Sequence, residues 1–480
     1  MIAAPPINMA VLGPPLALLV AAVLVLLLDV LSPRRDKTHL AVVALAGVIG
    51  ALLLTLMQWG HDQRGFRDMV VLDNYALFID VVICYAAALV ILLSIDYLQR
   101  TGLQSGEYYA LVLFSAVGMM LMASANDLII VFLSLELMSL SLYVLAGLFK
   151  QRLDSGEASM KYFLLGAFAS SFLLYGIALT YGAVGSTSFD RIAAAAPGRD
   201  ALFLVGLALM LVGFGFKISA APFHMWAPDV YQGAPTSVTT LIATGSKAAG
   251  FAALMRLLLG SVKGEQVDWM PLMWGLAVVT MTLGNVAAIA QTNLKRMLAY
   301  SSVAHVGYMM VGLVAGGANG ASAILYYLFA YTFTTVGTFG VLALCERLGE
   351  DAVEVDEYAG LARRHPLLAG ALTLFLLSLI GIPPLAGFVG KFYLFGAAVQ
   401  GGHIWLVIIA VLNSAIAAYY YLRVIVYMYM REPDANTARW APSFAGSVAL
   451  VIAAIGIVVL GVMPAPFAEL AQAAVAPLVR

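Results

Sequence analysis

The chain reads as long apolar runs separated by short polar breaks, and the length of the runs sets the class. A helix rises 1.5 Å per residue, so about 20 apolar residues cross the ~30 Å hydrocarbon core of a bilayer. Counting runs of at least about 18 residues, proline-broken ones included, predicts about 14 membrane helices. They centre near residues 20, 48, 85, 115, 138, 172, 213, 248, 280, 306, 333, 382, 415 and 456. Connections are short, with no soluble domain and no low-complexity linker. The longest polar one, Glu346–Pro366, sets Glu350, Asp351, Glu354, Asp356 and Glu357 ahead of Arg363 and Arg364. Either an amphipathic surface helix or a plain solvated connector fits that pattern.

Two runs cannot be straight helices. Gly213–Pro235, GFGFKISAAPFHMWAPDVYQGAP, carries Lys217 into an apolar stretch and then meets Pro222, His224, Trp226, Pro228 and Asp229. Pro222 removes a backbone donor and clashes with the preceding turn. In lipid, broken backbone is tolerated only when buried in protein or lining a wet cavity. A lysine beside such a break is therefore a candidate ion site. The bland alternative is a snorkelling lysine, but about 17 mostly apolar residues precede Lys217. The second run, SLIGIPPLAGFVGKFYLF, holds Pro383, Pro384 and Lys391. Gly213-Phe214-x-x-Lys217 and Gly387-Phe388-x-x-Lys391 share a GFxxK pattern, about five spans apart, although the prolines fall on opposite sides of the two lysines. An odd spacing places the copies in opposite orientation, as in an inverted repeat.

Further ionisable groups sit where a bilayer penalises them. Glu136 lies in LIIVFLSLELMSLSLYVLAG with Ser139 and Tyr143 on the same helical face. Lys247 shares a face with Thr240 and Thr244, His305 with Ser301 and Tyr308, and the next run continues with Tyr327, Tyr331, Thr334 and Thr338. One such stripe alone is as well explained by interhelical hydrogen bonding. Recurrence through successive spans, as Glu136, Lys217, Lys247, His305 and Lys391, reads as a proton relay with hydroxyl-bound water between its members.

Composition narrows the chemistry. The 480 residues are 62% hydrophobic and 11% charged, against about a quarter charged in a soluble domain. A net charge of −1 with no basic patch argues against nucleic-acid binding. Cys84 and Cys345 are the two cysteines and form no CxxC, which excludes Fe–S clusters and structural zinc. Of the histidines, His224 and His305 lie near core positions, too few for the paired axial ligands of several haems. Neither a P-loop nor GxGxxG occurs, so no cofactor is expected in this chain, and driving energy must come from partners or an ion gradient. Val11–Leu31 reads as a retained span, since no basic n-region and no cleavage site precede it.

Orientation follows from the loops after odd-numbered spans. They hold Arg34, Arg35, Lys37, Arg100, Lys150, Arg152, Lys161, Lys295, Arg296, Arg347, Arg363, Arg364, Arg431 and Arg439. That is about 14 basic residues against about 6 on the other side, so these loops are expected to be cytoplasmic and both termini external.

Four blocks carry a resemblance: LSLELMSLSLYVLAG, KISAAPFHMWAPDVYQGAPTSVTTLIATGSKAAG, QTNLKRMLAYSSVAHVGYMM and SLIGIPPLAGFVGKFYLF. They resemble the antiporter-like, proton-pumping membrane subunits of bacterial NADH:quinone oxidoreductase (respiratory complex I). That family also supplies subunits of multisubunit cation/proton antiporters, the alternative function. Together with the span number, the likeness covers most of the chain. It implies an all-α polytopic membrane protein of 14 transmembrane helices, with two inverted five-helix repeats and two discontinuous helices. Residues 1–105 would form a three-helix segment, 106–262 and 263–431 the two bundles, and 432–480 a C-terminal helix. The implied activity is proton translocation coupled to electron transfer from NADH to quinone in other subunits, with no redox group in this one. Implied partners are the other membrane-arm subunits, lipid, protons and water, in a bacterial inner membrane with both termini periplasmic. By the same resemblance Glu136 and Lys217 form a charged pair, Lys247 is the central lysine, and His305 a bridging group. Lys391 would face the exit side and Lys161 stand near the entrance; His224, in the first break, completes the candidate set. Lys391, the IPPLAGF segment and the short C-terminus favour the branch called subunit N. A purely structural scaffold, whose buried charges only fix helix packing, is the reading from a different class.

Overall fold

The structure, a computed structural model, describes residues 8–32, 36–103, 105–195, 200–262, 269–346, 353–433 and 443–479. Three helices come first: α1 (Gly13–Leu31), α2 (Thr38–Met57) and α3 (Asn74–Arg100). A small antiparallel ribbon, Gln63–Gly65 against Val70–Leu72, sits between α2 and α3. Next come α4 (Gly106–Ala123), α5 (Leu128–Ala146), α6 (Leu153–Val184) and the short α7 (Phe189–Ala195). The chain continues with α8 (Ala201–Ile218), α9 (Trp226–Gly233), α10 (Thr236–Leu241) and α11 (Lys247–Met255). The last two belong to one helix, Thr236–Ser261, interrupted by π turns at Ile242–Ser246 and Arg256–Ser261. Then follow α12 (Met270–Ile289), α13 (Leu294–Ala315), α14 (Gly317–Cys345), a single turn α15 (Leu361–Arg364), α16 (Pro366–Ile380), α17 (Ala386–Gln400) and α18 (Ile404–Met430). The last helices are α19 (Phe444–Val462) and α20 (Ala465–Ala474). Among the described residues thirteen helices are long and apolar enough to cross a membrane. The broken pair α16–α17 supplies a fourteenth crossing, at the residue centres that run length predicts.

Polar residues punctuate the runs. Asp73, Asp127, Asp200, Asn293 and Ser443 stand just before α3, α5, α8, α13 and α19, and each side chain accepts a backbone N–H of the first turn. Donors that the helix itself leaves unpaired are thereby satisfied.

The core runs through the less apolar helices. The 18-residue apolar stretch of Thr236–Ser261 is wholly buried, and those of α13 and α14 are 94% buried. The far more apolar α1 is only 39% buried. Outside a membrane protein is lipid, so hydrophobicity does not drive a helix inward; polar groups do, because the interior is where they find partners. Small residues let the helices meet closely. A Cβ on Gly176 would come 2.5 Å from the carbonyl of Gly206, so α6 and α8 touch backbone to backbone.

Both expected breaks are present and are closed differently. Between α8 and α9 the chain turns through Ser219 at φ 64° and a cis Ala221–Pro222 bond. There the freed Gly215 carbonyl accepts Ala220 N–H at 2.8 Å, and the Phe216 carbonyl accepts the Trp226 indole at 3.0 Å. Between α16 and α17 the turn uses Gly381 at φ 94° and a cis Pro383–Pro384 bond. Here the ammonium of Lys391 takes the freed carbonyls.

The Glu346–Pro366 connector contains no amphipathic helix among its described residues. Val355–Tyr358 forms a 3-10 turn, and the segment is strapped to the α12–α13 turn by Leu294 N–H to Val353 O and Val355 N–H to Thr292 O. Its first residue, Glu346, is buried. Arg34, Arg35, Arg347, Glu350, Asp351 and Arg439 lie outside the described residues.

Candidate functional site

The last turn of α8 ends at the first break and delivers Lys217 into the bundle, 2% exposed. Its Nζ donates to Ser139 Oγ at 2.9 Å and lies 5.7 Å from the Tyr162 ring. Ser139 stands one turn past Glu136 on α5. No ion pair joins Glu136 and Lys217 among the described residues; the buried Oε1 of Glu136 has no hydrogen-bond partner. The expected charged pair is thus a carboxylate on α5 and an ammonium on α8 with no direct bond between them; the ammonium is held by Ser139, one turn past Glu136. A void of ≈10 Å3 lined by Ser139, Tyr143, Ser170 and Lys217 adjoins the lysine, about the least space that holds one water.

From Lys217 to Lys247 the path is aromatic. Tyr162 stacks on Trp226 at 4.4 Å, and Trp226 meets Tyr231 edge-on at 6.3 Å. Lys247 Nζ is 5.9 Å from the Tyr231 ring. The aliphatic stem of Lys217 packs over Gly250, where a Cβ would stand 3.7 Å from Lys217 Cγ. Lys247 follows directly on the π turn Ile242–Ser246. Such turns re-aim the side chains beside them and recur at functional sites. Thr240 and Thr244 share its face as expected, yet their hydroxyls donate to carbonyls four residues back. Lys247 instead reaches across to Ser302 on α13, donating to its carbonyl at 3.1 Å and to its hydroxyl.

Beyond Ser302 the line is made of hydroxyls. Ser302 Oγ is 2.7 Å from Tyr331 OH, whose ring lies 5.2 Å from that of His305. His305 Nδ1 is 2.6 Å from Tyr327 OH and Nε2 is 3.2 Å from Tyr421 OH, which also contacts Ser301. The His305 and Tyr308 rings meet edge-on at 5.6 Å, and Tyr308 carries Lys391 Nζ at 4.8 Å from its centroid. Lys391 then donates to Leu379 O at 3.1 Å, Ile380 O at 2.8 Å and Ser414 Oγ at 2.8 Å. Lys217, Lys247, His305 and Lys391 therefore lie along one buried line, each bound to neutral oxygens. None of the three lysines has a carboxylate within ion-pair distance among the described residues.

Lys161 and His224 stand apart from that line. The side chain of Lys161 is 41% exposed and pairs with Glu157 at 2.5 Å and Asp229 at 2.8 Å, and Asp229 also takes Arg296 at 2.5 Å. His224, in the first break, is buried with Nδ1 unpartnered and its ring 6.4 Å from Tyr300. Sequence reading missed Ser302, Tyr421, Ser414 and Glu346. Ser302 had a signal, since it sits one turn before His305 on the same face. Tyr421 and Ser414 had none, because α18 is largely exposed and its polar residues look like ordinary punctuation. No group of three or more His, Cys, Asp or Glu side chains is gathered as a metal set among the described residues.

Residues 125–417 match the family described as NADH:quinone oxidoreductase/Mrp antiporter, TM. NADH-quinone oxidoreductase subunit N of Trichlorobacter lovleyi is 50% identical over 98% of this chain and 97% of its own length. A chain of respiratory complex I from Thermus thermophilus superposes with TM-score 0.82 at 37% identity, over 96% of this chain and 99% of that one. A chain of the Mrp complex from Dietzia superposes at 0.84 with 22% identity, over 98% and 97%; at that identity the likeness concerns the fold alone.

Proposed function

The chain belongs to the NADH:quinone oxidoreductase/Mrp antiporter membrane family, in its subunit N branch, and from that premise we propose that it moves protons across the membrane. It does so as a multi-pass subunit in the membrane arm of an NADH:quinone oxidoreductase. It holds no redox group, and electron transfer from NADH to quinone takes place in partner subunits. The arm lies in a bacterial inner membrane, in contact with lipid and with the other membrane-arm subunits. Residues 1–105, 106–262, 263–431 and 432–480 act as an N-terminal segment, two bundles and a closing helix.

One observation carries the reading: three buried lysines and a histidine strung along one line on neutral oxygens. A buried ammonium without a counter-ion is costly. A scaffold would be built more cheaply from apolar residues of like volume. A lysine surrounded by hydroxyls and carbonyls can instead exist with or without its proton. Movement of charge at Glu136, or at its equivalent in a neighbouring subunit, then biases which lysine holds the proton. Hydroxyls both donate and accept, so Ser302, Tyr331 and Tyr421 are suited to passing a proton between fixed sites.

Proton uptake into inverted vesicles per NADH oxidised tests this, on membranes whose native gels contain intact complex. Lys247→Ala is expected to lower uptake and coupled turnover at least about tenfold. Normal uptake in that variant would sink the relay. The likeness to an Mrp complex supports a second reading, cation/proton exchange; sodium-dependent proton movement by the purified protein without NADH would favour it.

A further inference from the structure

A second buried acid–base cell lies outside the central line. Glu346, at the end of α14, is 3% exposed. Its Oε2 accepts the Tyr97 hydroxyl at 2.8 Å, and its Oε1 accepts the Thr236 hydroxyl. Lys295 Nζ stands 3.7 Å away and makes its closer bond to the Ala234 carbonyl at 2.8 Å. The carboxylate thus rests mainly on two hydroxyls, groups able to pass a proton in either direction.

Two features point from this cell in opposite directions. Outward, Arg296 is the sequence neighbour of Lys295 and joins Asp229, Lys161 and Glu157 in a continuous ion cluster. Side-chain exposure rises from 4% at Glu346 through 29% at Asp229 to 63% at Glu157. Inward, Thr236 is the first residue of the helix that carries Lys247. Thr240 and Thr244 repeat at one-turn spacing on the same face, about 6 Å apart along the axis, a gap that one water spans. The hydroxyls donate to their own backbone, which leaves their lone pairs open to accept. Next to Lys247 the π turn leaves Ser246 Oγ buried and unpartnered.

We propose that Glu346 is the proton-uptake residue for Lys247, receiving protons from the Glu157–Lys161–Asp229–Arg296 side and passing them along the Thr236–Thr240–Thr244 face. The proposal rests on the proton-translocating reading above. The step balances simply. The carboxylate binds one proton from water on the ion-cluster side. The neutral acid then releases it, through hydroxyl and water, to the free amine of Lys247, which becomes ammonium while the carboxylate is restored. No electrons move.

A structural rival exists, because Glu346 also ties together α3, α10, α13 and α14. The test separates the two. Glu346→Gln keeps size and one of the two acceptor oxygens, its amide nitrogen donating where the other accepted, but cannot carry the proton; it also strands Lys295 as an unpaired buried charge. The double variant Glu346→Gln/Lys295→Met removes both charges and relieves that penalty. Proton uptake per NADH oxidised is measured on vesicles with intact complex. Both variants are expected to fall at least about tenfold, and Glu346→Asp to keep a substantial part of the activity. Recovery of wild-type uptake in the double variant would make the pair structural and overturn the proposal, as would normal uptake in Glu346→Gln. Should the glutamine variants not assemble, Thr236→Val interrupts the hydroxyl line while leaving the ion pair, and normal uptake there would overturn it equally. Lys247→Ala is the control. Loss there with normal uptake in the Glu346 variants would reject only the uptake residue; normal uptake in Lys247→Ala would reject the wider reading.

Discussion

The lysines differ in what holds them, and each difference sets an expected phenotype. Lys217 has one hydrogen-bond acceptor, Ser139, and an aromatic face; Lys391 has three oxygens. Ser139→Ala therefore leaves Lys217 with little to replace the lost bond. A hydrogen bond to a charged group is worth about 1.5–3 kcal/mol, so proton affinity at Lys217 should change about tenfold or more. Coupled turnover should slow with it. Glu136 acts on Lys217 across space and not through a shared bond. Glu136→Gln should accordingly slow turnover, while Glu136→Asp, which retains the charge on the same α5 face, should be milder. Equal turnover of the two variants would mean that charge is not the property that matters.

At the scale of elements, the two broken helices carry the comparison between halves. The shared GFxxK pattern led to both, but it lies before the break in α8 and after it in α17. What repeats is the interrupted span, not the lysine's place within it. In α17 the lysine itself replaces the missing helix bonds of α16, so Lys391 is both a protonatable group and the cap of a broken helix. Lys391→Ala should impair NADH-driven proton uptake by about tenfold or more, in complexes that still assemble. Lys391→Arg should impair it too, because guanidinium keeps the charge and the carbonyl bonds but does not release its proton in protein. If arginine restored full uptake, Lys391 would be a cap alone. Run length and proline position were legible in the sequence because a bilayer fixes the first and backbone chemistry the second. Partnerships were not. Ser302, Tyr421 and Glu346 meet their partners only after α13, α14 and α18 pack, and Glu346 reads as the start of an acidic loop when its neighbours Glu350 and Asp351 stand beside it in the sequence. Thr240 and Thr244 were legible as sharing the face of Lys247, but not that their hydroxyls donate to their own backbone.

For the whole molecule, the number of crossings and the distribution of charge together predict how the protein sits in the bilayer. Among the described residues thirteen helices and one broken pair make an even number of crossings, which predicts both termini on the same side. Among the described residues Lys37, Arg100, Lys150, Arg152, Lys161, Lys295, Arg296, Arg363, Arg364 and Arg431 all belong to connections or helix ends on the opposite side. Several are fixed there by acids from different parts of the chain: Lys37 by Asp29 at 2.6 Å, Arg296 by Asp229 at 2.5 Å, and Arg363 by Glu432 at 2.7 Å. Basic residues resist transfer through an energised membrane and acids count for little in that bias, so pairing does not weaken the argument. The charged side is therefore predicted to face the cytoplasm and the termini the periplasm. Glu346, Lys295 and Lys161 then lie toward the side from which protons are taken, as an uptake route requires. Alkaline phosphatase folds to active enzyme only outside the cytoplasm, so its fusion after Arg480 should give high activity. A fluorescent reporter that matures only in the cytoplasm should stay dark at the same site. The reverse pattern would invert the molecule, place Glu346 on the release side, and require protons to enter past Arg256 and Asp73, whose buried ion pair at 2.9 Å stands at the other end of the same helix.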